Sequence, residues 1–339
     1  MTTAEAPRGA TVPAGLAAAD PALVAELSEQ LVRVEEALRA AVASDYPFVT
    51  ETSRHLVDAG GKRFRPLLVL LASCFGDPAA PGVIPAAVVV ELTHLATLYH
   101  DDVMDEAPLR RGAPSANARW DNTVAILTGD FLFARASDIL ADLGPEAVRV
   151  QAKTFERLCT GQIRETVGPA PGVDPVDHHL QVLADKTGSL IATSGRFGAM
   201  LSGADAATTE TLTRFGERIG VAFQLSDDLV DIAGEVAQSG KVAGTDLREG
   251  IPTLTGLLVQ GSTAVADERL RDLLSRPLVD EAEHTEALAL LRSHPALAQA
   301  RQIAGQWAAD ARATLTALPD VPARAALELL CDYVVTRTA

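Results

Sequence analysis

The stretch Ile84-Pro-Ala-Ala-Val-Val-Val-Glu-Leu-Thr-His-Leu-Ala-Thr-Leu-Tyr-His-Asp-Asp-Val-Met-Asp-Glu106 decides the class of fold. It shows no sustained strand alternation and reads as one mostly apolar helix. Near its end stand Asp101, Asp102 and Asp105. On a helix Asp101 and Asp105 project from one face, about a turn apart. Carboxylates so close repel each other. Hard oxygen ligands are what Mg²⁺ takes, with waters and substrate phosphates completing its shell, so the cluster points to a metal-diphosphate site. A single such cluster is equally well a solvated helix face. The pattern recurs, however, in Phe223-Gln-Leu-Ser-Asp-Asp-Leu-Val-Asp231, where Asp227 and Asp231 share a face and Asp228 flanks them. Two copies, each set in an apolar helix, weigh against the surface reading. If the two helices face one another, their carboxylates hold several Mg²⁺ ions around one diphosphate and offset the charge on a departing group.

Working outward, Leu23, Leu27, Leu31, Val34 and Leu38 recur at three and four residues, the stripe of an amphipathic helix from Pro21 to Val42. Further helices are expected over Tyr46 to Asp58, Arg65 to Phe75, Asn122 to Asp142, Pro145 to Val167, Pro175 to Met200 and Thr208 to Ile232. Gly60-Gly61, Gly76-Asp77-Pro78 and Gly144-Pro145 supply the stops. The polar, glycine-bearing stretch from Gly234 to Pro252 reads as a flap between helices. Ala, Leu and Val are abundant and aromatic residues make up 4% of the chain, a composition that favours packed helices over sheets. The expected fold is all-α, one bundle of antiparallel helices around a central cavity. Residues 1–20, rich in Ala, Gly, Pro and Thr, read as a disordered lead-in, and residues 21–339 as a single domain.

The formal charge of -16 opposes nucleic-acid phosphate at long range. Cys74, Cys159 and Cys331 are odd in number and lack metal or redox spacing, so they read as thiols of a reducing compartment. Residues 1–20 hold no signal-like apolar run, and a cytoplasmic location is expected. The longest apolar runs, Leu67 to Phe75 and Ile84 to Val90, are shorter than the ~20 residues that span a bilayer, so at most peripheral membrane contact is expected.

From Gly60 to Thr253 the motifs follow one order: Gly-Gly-Lys-Arg-Phe-Arg-Pro, His-Asp-Asp-Val-Met-Asp, Leu-Arg-Arg-Gly, Gly-Asp-Phe-Leu, Lys-Thr-Gly, the second Asp motif and Asp-Leu-Arg-Glu-Gly. This resembles the trans-isoprenyl diphosphate synthases, or polyprenyl synthetases. The resemblance implies that Lys62, Arg65, His94 and Arg111 grip the diphosphate of isopentenyl diphosphate, with Gly61 allowing close backbone approach. It implies that Arg110, Lys186, Thr187, Gln224 and Lys241 contact an allylic diphosphate. Mg²⁺ falls to Asp101, Asp102, Asp105, Asp227, Asp228 and Asp231, with Asp101, Asp105, Asp227 and Lys186 most directly in the chemistry. One departure stands out. Many relatives carry a lysine after the last of these motifs, whereas this chain has Ile251-Pro252, which bears on flap closure.

The implied reaction ionises the allylic diphosphate, adds the isopentenyl double bond to the carbocation and loses a proton. In such enzymes the residue five before the first Asp limits the tail. Here it is Ala96, followed by Thr97, which implies an open tunnel and a medium- to long-chain product of the kind used for quinone side chains. Val89, Leu92, Phe131, Leu132 and Phe133 are candidates for its wall, or ordinary core. Relatives are commonly homodimers. A shorter-chain geranylgeranyl-type synthase stays open, as does a non-catalytic subunit, although the latter is expected to lose an Asp motif that this chain keeps. A cyclase of related fold is expected to mix other residues into its second metal site.

Overall fold

The computed structural model describes residues 14–234 and 243–336, and their secondary structure is almost entirely helical. The helices are α1 (Pro21–Ala41), α2 (Pro47–Asp58), α3 (Phe64–Ser73), α4 (Val83–Met104), α5 (Ala116–Arg119), α6 (Asn122–Leu143), α7 (Pro145–Val167), α8 (Pro175–Leu183), α9 (Ser189–Leu201) and α10 (Ala206–Ala233). Six more follow: α11 (Thr245–Glu249), α12 (Leu254–Gln260), α13 (Glu268–Leu273), α14 (Glu281–Ser293), α15 (Pro295–Thr314) and α16 (Pro322–Thr336). Among the described residues the strands are β1 (Leu109–Arg110) and β2 (Ala113–Pro114), an antiparallel pair with Leu109 opposite Pro114.

Helix starts follow local chemistry. Asp20 accepts from the N–H groups of Ala22 and Leu23 at 2.9 and 3.0 Å, and Pro21 fills a position that needs no donor. Asp121 caps α6 through Val124 N, and Asp174 caps α8 through Val176 N. Each cap is worth about 1 kcal/mol. Packing starts ahead of α1, since Leu16 is fully buried. The expected lead-in therefore ends sooner than Asp20, and residues 1–13 lie outside the described residues.

Contacts divide the chain into two units. The first comprises Met1–Thr154, Leu190–Thr213 and Ala317–Leu329; the second comprises Phe155–Ser189, Arg214–Thr316 and Leu330–Ala339. In the first unit α4 is the central element, with Ala86, Ala87, Val89, Val90, Leu92, Leu95, Ala96 and Tyr99 all fully buried. Length and composition alone would let α4 cross a membrane, which the short uninterrupted apolar runs did not suggest; most of it is buried inside the protein. The Tyr99 hydroxyl donates to Thr52 O at 2.5 Å and accepts from Leu56 N at 3.3 Å, tying α4 to α2. Gly129 lets α6 come close, because a Cβ there would strike the His100 ring and lie 3.1 Å from Ala96 O.

The second unit packs Val221, Leu225, Leu229 and Ile232 of α10 against Leu247, Leu254, Leu291 and Ala300. That apolar stripe leaves Gln224, Asp227, Asp228 and Asp231 on other faces of α10, where they are half-buried. The expected continuous helix from Pro175 to Met200 is interrupted. Residues Ala184–Gly188 form a π turn between α8 and α9, a local widening often found at functional positions.

Candidate active site

The first unit assembles a cation cluster around His94. The left-handed backbone of Arg63 (φ 45°) turns the chain from Gly60-Gly61-Lys62 into α3. Gly61 has a φ of 152° and its missing Cβ leaves room for the Arg111 guanidinium, whose atoms lie 3.0 Å from where that carbon would be. Arg111 donates to the carbonyls of Gly60 and Leu56, the latter at 2.9 Å, near the C-terminal end of α2. Arg65 is half-buried, with its Nε buried and without a hydrogen-bond partner among the described residues, and burial, opposed by Glu91 and aided by Arg111, lowers its pKa to about 10. Burial, then Arg65, Arg111, Arg63 and Arg110 in that order, hold the His94 imidazole well below its ordinary pKa, so the ring is neutral at pH 7. Lys62 is exposed beside this cluster. Cations set closely around a neutral ring, one with an unused buried N–H, make a receptor for a small, highly charged anion.

The first Asp motif is at the end of α4. Asp102 is fully buried; its Oδ1 accepts from Arg110 Nε at 2.5 Å, and its Oδ2 has no hydrogen-bond partner among the described residues. Burial raises its pKa despite Arg110. Asp105 is exposed at the end of α4, 3.9 Å from Arg110 Nη2, and Asp101 is half-buried. Ala96 is fully buried, and Thr97 turns its hydroxyl to His94 O at 2.8 Å. Val89, Leu92 and Leu132 are fully buried core, and the Phe133 ring stacks at 5.8 Å from His100. A cavity of about 560 Å³ in this unit, lined by Ala37, Ala41, Pro85, Val88, Ile139 and Leu143, lies toward the start of α4. It is separate from the carboxylates: Val88 precedes Asp101 by thirteen residues, roughly 20 Å along a helix.

In the second unit three of the other predicted residues, Thr187, Gln224 and Asp228, form one hydrogen-bonded chain. Thr187 Oγ1 donates to Gln224 Oε1 at 3.4 Å, and Gln224 Nε2 donates to Asp228 Oδ1 at 3.1 Å. Burial, then Asp246, followed by Asp227 and Asp231, push the Asp228 carboxyl up to about 8 against the hydrogen bond from Gln224. Asp231 is engaged differently, for its two oxygens accept from Thr245 N and Asp246 N at 3.2 Å and fasten α11 to the end of α10. Lys241 lies outside the described residues.

Several contributors escaped sequence reasoning. Lys186 donates to Glu165 Oε2 at 2.6 Å. The π turn that carries Lys186 and Thr187 is held by Asp185, which is buried and accepts from Arg157 at 2.9 Å, Arg164 at 2.7 Å and Gln181 at 3.0 Å. His179 Nε2 is buried, without a hydrogen-bond partner among the described residues, 3.9 Å from Asp228. In the first unit Arg63 is buried between Glu35 and Glu91. A lone carboxylate inside an apolar run, as at Glu91, was the available signal for that pair; nothing local marks Asp185 or Glu165.

Among the described residues no three of His, Cys, Asp or Glu converge as a ready-made metal cage, so neither Asp motif is a preassembled all-protein site. The donor chemistry still fits Mg²⁺, which binds through one or two carboxylates and completes its shell with water and substrate phosphate. The orphaned Asp102 Oδ2 and the raised Asp228 carboxyl are oxygens of the kind such an ion takes.

An all-helical synthase bearing two Asp motifs and a buried cation cluster is the class these features define. A family profile for polyprenyl synthetase matches residues 46–291, and the chain belongs to that family. It is 49% identical over 329 residues to a nonaprenyl diphosphate synthase of Mycobacterium tuberculosis, covering 97% of this chain and 98% of that one. It is similar in structure to a geranylgeranyl pyrophosphate synthase of Corynebacterium glutamicum solved with calcium and isoprenyl diphosphate, at a TM-score of 0.85 and 45% identity over 94% of this chain and 98% of that one. A decaprenyl diphosphate synthase from Rhodobacter capsulatus gives a TM-score of 0.85 at 33% identity, over 94% of this chain and 99% of that one.

Proposed function

We propose that the chain condenses an allylic diphosphate with successive isopentenyl diphosphate units, with Mg²⁺ as the divalent ion, to give a medium- to long-chain polyprenyl diphosphate. The observation that carries this reading is the cation cluster of Arg65, Arg110 and Arg111 around a neutral His94, beside a motif in which one oxygen of the buried Asp102 carboxylate has no hydrogen-bond partner among the described residues. Lys62, Arg65, His94 and Arg111 bind the isopentenyl diphosphate. Lys186, Thr187, Gln224, Lys241 and Arg110 serve the allylic diphosphate, and the carboxylates of the Asp motifs serve the metal ions. When bound, the metal ions supply charge neutralisation for the leaving diphosphate. Lys186 and Arg110 add to that neutralisation as the allylic C–O bond breaks. The isopentenyl double bond then forms the new C–C bond, and its proton leaves to the released diphosphate, so no protein nucleophile is consumed. The carbocation requires that water be excluded from the site.

The long-chain reading is supported by Ala96 and by the nonaprenyl relative. The similarity to a geranylgeranyl pyrophosphate synthase favours a shorter product as the second reading. Function as a homodimer is supported by the apolar residues exposed along α7, among them Phe155 and Ile163 at 37% and 62%. A single functional domain and a cytoplasmic location complete the proposal, the latter supported by three free cysteines.

The test is incubation of the purified protein with Mg²⁺, labelled isopentenyl diphosphate and a series of allylic primers, with the products sized by chromatography. Extended products are expected, disappearing on chelation. No condensation with any primer would reject the reading. Ala96→Phe is expected to shorten the product, and unchanged length would remove Ala96 from the account.

A further inference from the structure

The first unit buries more charge than the reaction uses. Arg63 is 3% exposed and bonded on every side. Its Nε and Nη2 donate to Glu35, the second bond at 3.2 Å; Nη1 donates to Glu91 Oε1 at 2.7 Å; and Nη2 donates to Val57 O at 2.9 Å. The same Glu91 oxygen lies 3.9 Å from Arg111 Nη2. We infer that Glu91, backed by Arg63 and Glu35, is a positioning residue for the anion site formed by Arg65, His94 and Arg111. The inference rests on the reading of that site given under Proposed function.

Three arguments support it. First, Glu91 links the turn before α3, through Arg63, to the hairpin arginine Arg111, which come from distant parts of the sequence. A carboxylate between two guanidinium groups sets their separation, and Arg63, in a left-handed conformation that a non-glycine residue adopts only under constraint, needs such a hold. Second, the local charge is partly offset. Arg63, Arg65 and Arg111 carry three positive charges against the two of Glu35 and Glu91, which leaves one net positive charge before substrate arrives. Without Glu91 the excess doubles, and like charges in a poorly screened interior push Arg111 and Arg65 apart. Third, fold stability is a weak reason to keep the group, because a buried ion pair is often matched by apolar residues of equal volume. Its distinctive contribution is geometric.

The experiment is steady-state kinetics on Glu91→Gln, varying each substrate in turn. The glutamine keeps an acceptor for Arg63 and removes the charge that holds Arg111. We expect KM for isopentenyl diphosphate to rise at least tenfold while KM for the allylic primer stays within twofold, and Glu91→Asp to recover part of the loss. A lowered Tm with both KM values at parental levels would overturn the inference, because it marks a merely structural role. Should Glu91→Gln fail to fold, Glu35→Gln carries the test, since among the described residues Glu35 bonds to Arg63 and does not touch the anion site directly. There a two- to fivefold rise confined to isopentenyl diphosphate supports the inference and parental kinetics reject it. Absence of condensation by the unsubstituted protein would count against the functional reading instead.

Discussion

His94 is held neutral by burial and by four guanidinium groups, and that state has a consequence for stability. The unfolded chain takes up a proton on this imidazole near pH 6.5, whereas the folded chain does not until a lower pH. Between those two values the unfolded state binds more protons, so stability falls as the pH drops below about 6.5. The raised Asp102 and Asp228 carboxyls contribute with the opposite sign over the same range, so the test is a difference: in thermal unfolding of the ligand-free proteins from pH 7.5 to pH 5, the parent is expected to lose more stability than His94→Gln. Equal slopes in the two proteins would mean that His94 is protonated in the native state. Arg65 offers a kinetic counterpart. Its Nε is buried without a partner, so Arg65→Gln is expected to raise KM for isopentenyl diphosphate about tenfold or more, a loss of at least ~1.4 kcal/mol of binding. A KM within twofold of the parent would separate Arg65 from the anion site.

At the scale of elements, the π turn Ala184–Gly188 depends on Asp185 accepting from Arg157, Arg164 and Gln181. Asp185→Ala removes all three bonds. Because both arginines are more than a third exposed, water recovers part of the loss, and a destabilisation of about 1–3 kcal/mol is expected. The same change should raise KM for the allylic primer through Lys186 and Thr187, and kinetics that leave this KM untouched would dissociate the turn from the substrate. The helices themselves were legible in the sequence. The leucine stripe of α1 and the Asp-Pro starts of α1 and α8 are local signals, and local signals fix where a helix begins and which face it buries. The π turn and the hairpin Leu109–Pro114 were not legible, because both depend on partners distant in sequence and leave no periodic trace. The candidate site divides the same way. The aspartates announced themselves by type and spacing and the cations only through the family resemblance, while Asp185, Glu165 and the Glu35–Arg63–Glu91 group are visible only once remote segments are in contact.

For the whole molecule, the lack of a closed cage among the described residues predicts how ligands stabilise the fold. Mg²⁺ alone should shift Tm little, and inorganic diphosphate with Mg²⁺ should shift it strongly, since each supplies ligands or charge that the other lacks. At a hundredfold excess over Kd the linked gain is about 2.7 kcal/mol. A large shift with Mg²⁺ alone would show a metal site complete in protein ligands. The central helix α4 brings a liability of another kind. Its 22 residues are apolar enough to span a bilayer, and the native protein keeps most of them out of contact with water. Whenever the chain opens far enough to uncover that segment, self-association competes with reclosure. Heating this protein past its transition should therefore leave precipitate in place of recoverable enzyme, and the margin between working and ruined protein is set by how rarely one helix is laid bare.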